Sequence, residues 1–145
     1  MRFLSALDTS ASGLTAQRLR MDVIANNLAN VNSTRTAEGG PYRRQTVLFQ
    51  ARSAGAASFR DILAGKLEGG GGVRVVGIAQ DPSPFKQVYD PSHPDANAEG
   101  YVSMPNVDLV SEMVDMIAAS RAYEANVTAL NASKSMALKA LEIGR

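Results

Sequence analysis

The residue types able to do chemistry are few and poorly placed for it. His93 is the only histidine and lies between Pro91 and Pro94. One imidazole assembles neither a Ser-His-Asp relay nor a histidine metal site, and the flanking prolines make it a solvated turn residue. The run Gly69 to Gly72 has the backbone freedom to bring amides onto an anion. No Lys-Ser/Thr pair follows it and it opens no helix, so it reads as a flexible linker rather than a phosphate loop. Asp108, Glu112 and Asp115 fall on roughly one helical face, where paired carboxylates do acid-base work or hold a divalent cation. They also stand at that helix's start, and negative charge against the positive end of its dipole accounts for them without a ligand.

Arg43 and Arg44 have the donors to bind a phosphate or an acidic neighbour, although a solvated face is the ordinary reading of such a pair. Met21, Met113, Met116 and Met136 have the side chains of a promiscuous groove, yet at helical spacing they read as core filler. Asn32, Asn126 and Asn131 each begin an Asn-X-Ser/Thr acceptor; two fall within a helical pattern, so chance is the better account. With no cysteine, disulfides, thiolate metal sites and a cysteine nucleophile are excluded. No residue is assigned to catalysis, a cofactor or a metal. The expectation is a protein that is not an enzyme and takes no small-molecule substrate.

Composition sets further bounds. The 145 residues suit one folding unit; 45% are hydrophobic and only 6% aromatic, so the core must be aliphatic. Fifteen basic and 14 acidic side chains leave a net charge of +1, too little to hold nucleic acid or an anionic membrane by its field. Asp8, Arg18, Arg20 and Asp22 punctuate the N-terminal stretch, which therefore lacks the apolar run of a signal peptide. No window is apolar enough to span a bilayer.

Both ends are helical by pattern. Leu4, Leu7, Ala11, Leu14, Arg18, Met21, Ala25 and Leu28 recur at alternating spacings of 3 and 4, a coiled-coil type seam broken only by Arg18. The crowd Asn26, Asn27, Asn30 and Asn32 predicts a stop near residue 32. A second helix opens after Pro105 with Asn106 as its N-cap. Met113, Met116, Ser120, Tyr123, Val127, Leu130, Lys134, Ala137 and Leu141 then repeat at the same spacing until Gly144. About 38 residues at 1.5 Å each is roughly 57 Å. A compact domain of this size is only about 40 Å across. The helix cannot be wrapped inside its own domain, so its stripe must face the other helix, neighbouring molecules, or both.

Residues 35–105 hold all 6 prolines and most of the glycines. Strands are expected at Gln45 to Gln50, Val73 to Ile78 and, more weakly, Gly100 to Met104. A short helix is one reading of Arg52 to Lys66, and a turn or polyproline-like path that of Asp81 to Pro94.

The stretch Met21 to Asn32, reading Met-Asp-Val-Ile-Ala-Asn-Asn-Leu-Ala-Asn-Val-Asn, resembles the N-terminal signature of the bacterial flagellar rod and hook family. Tyr101 to Asp108 and Ser120 to Asn126 resemble its proximal-rod branch, as does Val73 to Pro91 with Ser83-Pro84-Phe85 and Val88-Tyr89-Asp90-Pro91. Residues 35–72 show little likeness. The resemblance implies a structural subunit of the basal-body rod in the periplasm, exported by the flagellar type III apparatus without a cleaved signal peptide. It also implies terminal helices packed as an inner tube. The partners it implies are other rod proteins and copies of the same chain, and it leaves room for peptidoglycan contact by the middle segment.

The expected fold is mainly α, with long N- and C-terminal helices paired as an antiparallel coiled-coil-like unit and an extended, β-hairpin-containing middle. Its expected divisions are 1–34 and 106–145, the two helices of an inner-tube domain, and 35–105, the middle segment with its Gly-rich linker. Subunit packing is expected of Leu4, Leu7, Leu14, Met21 and Leu28 against Met113, Met116, Tyr123, Val127, Leu130 and Leu141. The alternatives are another rod or hook axial subunit, from which Val73 to Pro91 argues away, and a type III secreted coiled-coil binding module.

Overall fold

The computed structural model describes residues 2–52 and 71–143. In chain order its elements are α1 (Arg2–Ala29), β1 (Gln45–Ala51), β2 (Val73–Gln80), β3 (Lys86–Tyr89), β4 (Tyr101–Met104) and α2 (Leu109–Ile143). The architecture is mainly helical, two long terminal helices with two small antiparallel sheets between them. At 35 residues, α2 is about 52 Å long.

Helix ends depart from expectation for local reasons. α1 stops at Ala29, where Asn30 N–H bonds the carbonyls of Asn26 and Asn27 and its side-chain amide also takes the Asn26 carbonyl, tightening the last turn. The N-cap of α2 is Asp108 and not Asn106. Asp108 Oδ2 accepts from Ser111 N–H at 3.2 Å and from Ser111 Oγ at 2.6 Å. Asn106 is used across the fold: its Oδ1 accepts Arg44 N–H at 2.8 Å, and its Nδ2 donates to the carbonyls of Asp81 and Ser83.

All three expected strands form, each within a few residues of its expected limits. β3 was hidden among the prolines of the 81–94 stretch. It pairs antiparallel with β4, from Lys86 opposite Met104 to Tyr89 opposite Tyr101, and the two tyrosine rings meet edge to face at 5.3 Å. The short helix expected over Arg52 to Lys66 lies, beyond Arg52, outside the described residues, as do Gly69 and Gly70.

Packing divides the chain into two compact units instead of one. The first takes its described residues from Met1–Leu19, Leu48–Gly77 and Ala119–Arg145. Here Arg52 N–H bonds Gly72 O at 2.9 Å, closing one end of the β1–β2 pair. Gly72 has φ +89°, and a Cβ on it would stand 2.3 Å from Ser12 Oγ, which itself accepts Val73 N–H at 3.0 Å. The end of the glycine run is therefore a fitted contact on α1, not a linker. Gly13 likewise lets α1 approach Asn126 of α2, whose side chain would lie 3.1 Å from an added Cβ. Among its described residues, Ala16 and Ala119 are the buried apolar ones.

The second unit comprises Arg20–Val47 and Ile78–Ala118. Asp81 N–H bonds Arg44 O at 2.8 Å, closing the other end of the β1–β2 pair. Its buried apolar side chains are Val23, Ile24, Val102 and Val107, with Pro105 enclosed beside them. Burying a Val or Ile fully yields about 1.5–3 kcal/mol, so four of them make a small core. Beside them lie two buried polar residues, Asn27 and Glu112.

Candidate functional site

Two of the fully enclosed side chains of the second unit are polar. Glu112 is 0% exposed and Asn27 1%. Asn27 lies in the last turns of α1 and Glu112 in the first turn of α2; the 42–45 segment that leads into β1 supplies their partners. Asn27 uses its whole amide: Nδ2 donates to Glu112 Oε2 at 3.0 Å and to Gln45 O at 2.9 Å, while Oδ1 accepts from Tyr42 Oη and Gln45 N–H, each at 3.0 Å. The other carboxylate oxygen of Glu112 accepts from Arg44 Nε at 2.5 Å. Arg44 also reaches Asp115 at 3.5 Å and Asp81 at 3.7 Å, and Arg20 pairs with Asp115 at 3.1 Å.

The electrostatics follow from this enclosure. Burial works against the charge of Arg44, but the hydrogen bond to Glu112 and the charges of Glu112, Asp115 and Asp81 outweigh it and hold the guanidinium above its usual pKa. Burial first, and the Glu112 charge second, push the Tyr42 phenol up. A carboxylate with both oxygens bonded and no exposed surface is a packing element, and it has no free face for a substrate.

The carboxylate trio of the sequence is thereby divided. Asp108 caps its helix and lies 3.9 Å from Lys86, in agreement with the dipole reading, whereas Glu112 and Asp115 bind arginines from other elements. Arg44 is part of the knot rather than a solvated residue. Arg43 stacks its guanidinium 4.4 Å over Phe85 and donates to the carbonyls of Asp81 and Ser83. His93 is half-buried in a turn, its Nδ1 accepting Asp95 N–H. Among the described residues, no three His, Cys, Asp or Glu stand close enough to hold a metal ion, and no helix is long and apolar enough to cross a membrane.

Of the residues expected to pack subunits, the Leu4 side chain lies outside the described ones. Leu7, Leu14, Met21, Leu28, Met116, Tyr123, Val127 and Leu130 are half-buried; Met113 and Leu141 are exposed. The fully buried helix positions are Ala16, Val23, Ile24 and Asn27 on α1 and Glu112 and Ala119 on α2. Alanine and asparagine at these positions carry little hydrophobic signal, and a glutamate defaults to the surface, so the pattern of large apolar residues does not reveal them. The Asn cluster at the end of α1 is the one visible hint, readable only as a stop.

The described part of α2 also carries large apolar side chains that the chain leaves uncovered. In the second unit they are Leu109, Val110, Met113, Val114 and Ile117, with Val110 68% exposed. In the first unit they are Met136, Leu138, Leu141 and Ile143, with Ile143 86% exposed. Spacings of three, four and seven put most of each group on one helical side, and exposed apolar rows of this kind mark interaction surfaces.

These features define a class: a small, mainly helical packing subunit whose helices carry more apolar surface than the chain covers. Residues 7–35 match the family described as flagella basal body rod protein, and residues 98–143 that described as flagellar basal body rod FlgEFG protein C-terminal. The chain is 52% identical to the flagellar basal-body rod protein FlgC of Bacillus subtilis, with all of both chains covered. It is 52% identical to FlgC of Borreliella burgdorferi over 99% of this chain and 98% of the other, and 46% identical to FlgC of Escherichia coli O6:H1 over the whole of both. The chain belongs to the FlgC family of flagellar basal-body rod proteins, a family of structural subunits and not of enzymes.

Proposed function

We propose that this chain builds the proximal part of the flagellar rod, assembling helically through its terminal helices so that torque crosses the periplasm through many subunit contacts. Residues 1–34 and 106–145 form the inner-tube domain, paired as an antiparallel coiled-coil-like unit, and residues 35–105 lie outside it. The packing residues are Leu7, Leu14, Met21, Leu28, Met116, Tyr123, Val127, Leu130 and Leu141, with Leu4 and Met113 completing the two rows. Its partners are other rod proteins and copies of itself, with the flagellar type III apparatus exporting it without signal cleavage. Contact of the outer segment with peptidoglycan is compatible with this arrangement.

The observation that supports the reading is the uncovered apolar side chains of α2, which include Met113 and Leu141 of these rows and add Leu109, Val110, Val114 and Ile117 to the contact surface. Each Leu, Met or Val buried by a neighbour contributes about 1.5–3 kcal/mol. Head-to-tail repetition of a contact too small for a stable dimer generates a helical array instead of a closed pair. In cells lacking the chromosomal copy, a plasmid copy carrying Val114→Asp is expected to give a protein with parental helicity that restores neither rods nor swimming. Swimming at the parental level would overturn the reading.

A further inference from the structure

We infer that the buried pair Asn27 and Glu112, with Arg44 and Tyr42 around it, is a register lock that fixes how far α1 is slid along α2. Within the second unit, Arg20 meets Asp115 while Asn27, seven residues further along α1, meets Glu112, so the helices run in opposite directions with a defined offset. The apolar residues of that seam do not define the offset. Val23 and Ile24 attract without direction, and stripes that recur every three or four residues coincide again after a slip of seven. The polar knot behaves differently. Every donor and acceptor of the Asn27 amide is used, and both oxygens of a fully buried carboxylate are bonded to groups from two different elements. A slip of one heptad carries Glu112 away from Asn27 and sets the buried Asn27 amide opposite Ala119, which has no side-chain partner for it, so displaced registers are rejected even where the apolar contacts tolerate them. A subunit that packs by its helices thereby holds Leu109, Val110, Met113, Val114 and Ile117 at a single position relative to the end of α1.

The absence of cysteine allows a direct test on the full chain. Arg20→Cys with Asp115→Cys reports the native offset to a short bismaleimide, and Arg20→Cys with Ala122→Cys reports a slip of one heptad. In the parent background only the first pair is expected to cross-link. In Asn27→Leu/Glu112→Leu, which removes both buried polar groups together, helicity is expected to persist, the native cross-link to fall at least threefold and the slipped one to appear. Ile24→Val, which trims the apolar seam and leaves the polar pair intact, is expected to retain the native cross-link alone. The inference is overturned if the double-leucine chain keeps the native cross-link alone, if it loses its helicity, or if Ile24→Val slips. The cross-links read register without reference to swimming, so failure here is distinguishable from failure of the proposed rod function.

Discussion

Asn27 Nδ2 lies 3.0 Å from Glu112 Oε2, joining the C-terminal end of α1 to the first turn of α2 through two side chains that are both withdrawn from water. Removing one side of such a contact costs more than the contact contributes, because the remaining group stays buried without a partner. Asn27→Ala is therefore expected to destabilise the chain by about 1–3 kcal/mol, read as a lower urea midpoint with an unchanged slope.

The two adjacent arginines should separate clearly. Arg44→Ala leaves the fully buried Glu112 without its counter-charge and is expected to cost about 3–5 kcal/mol. Arg43→Ala removes a stacking contact on Phe85 and two bonds to loop carbonyls, a loss of about 0.5–1 kcal/mol for the stacking. Equal midpoints for the two variants in parallel thermal melts would contradict the division of labour drawn between them.

Two glycines of the same strand region make a similar contrast. Gly72→Ala must adopt φ +89° and press its methyl against Ser12 Oγ, so it is expected to lose more than about 1 kcal/mol. Gly77 has open space around an added Cβ, so Gly77→Ala should be neutral or slightly stabilising. Denaturant unfolding of the pair checks both signs at once.

Alkaline pH should weaken the second unit through Tyr42. Its pKa is raised in the folded state by burial and then by the Glu112 charge, so the folded chain holds the phenolic proton longer than the unfolded chain does. That contribution is complete below the unfolded tyrosine value of about 10 and is lost as pH rises through the folded one. Tyr42→Phe should flatten the alkaline limb of a stability profile measured from pH 8 upward. On the acid side the sign reverses. Asp81, Asp90 and Asp108 are held below the usual carboxylate range chiefly by hydrogen bonds from Ser83, Ser92 and Ser111. Their contribution is present above the unfolded pKa and lost as pH falls through the folded values, and Ser111→Ala should reduce the Asp108 share of that loss, since the backbone N–H of residue 111 still donates to Asp108.

By itself the sequence determined the two long terminal helices, three of the four strand regions and the need for partners. Each of these is a periodicity or a length, and a 35-residue helix with a recurring apolar stripe requires a covering surface whatever the tertiary detail. The resemblance of Met21 to Asn32 and Tyr101 to Asp108 supplied the rod family, which spacing alone does not contain. Only the tertiary structure decided which helix positions are enclosed. Ala16 and Ala119 are buried with no apolar bulk to announce them, and Asn27 and Glu112 are buried because Arg44, Tyr42 and Gln45 arrive from another element to satisfy the polar pair. Such partners lie 15 to 85 residues apart along the chain, as Tyr42 and Glu112 do from Asn27. No local pattern marks a buried glutamate before its arginine is in place. The same holds for the N-cap, where Asn106 and Asp108 are both competent by type, and the pull of Arg44, Asp81 and Ser83 on Asn106 left the capping to Asp108.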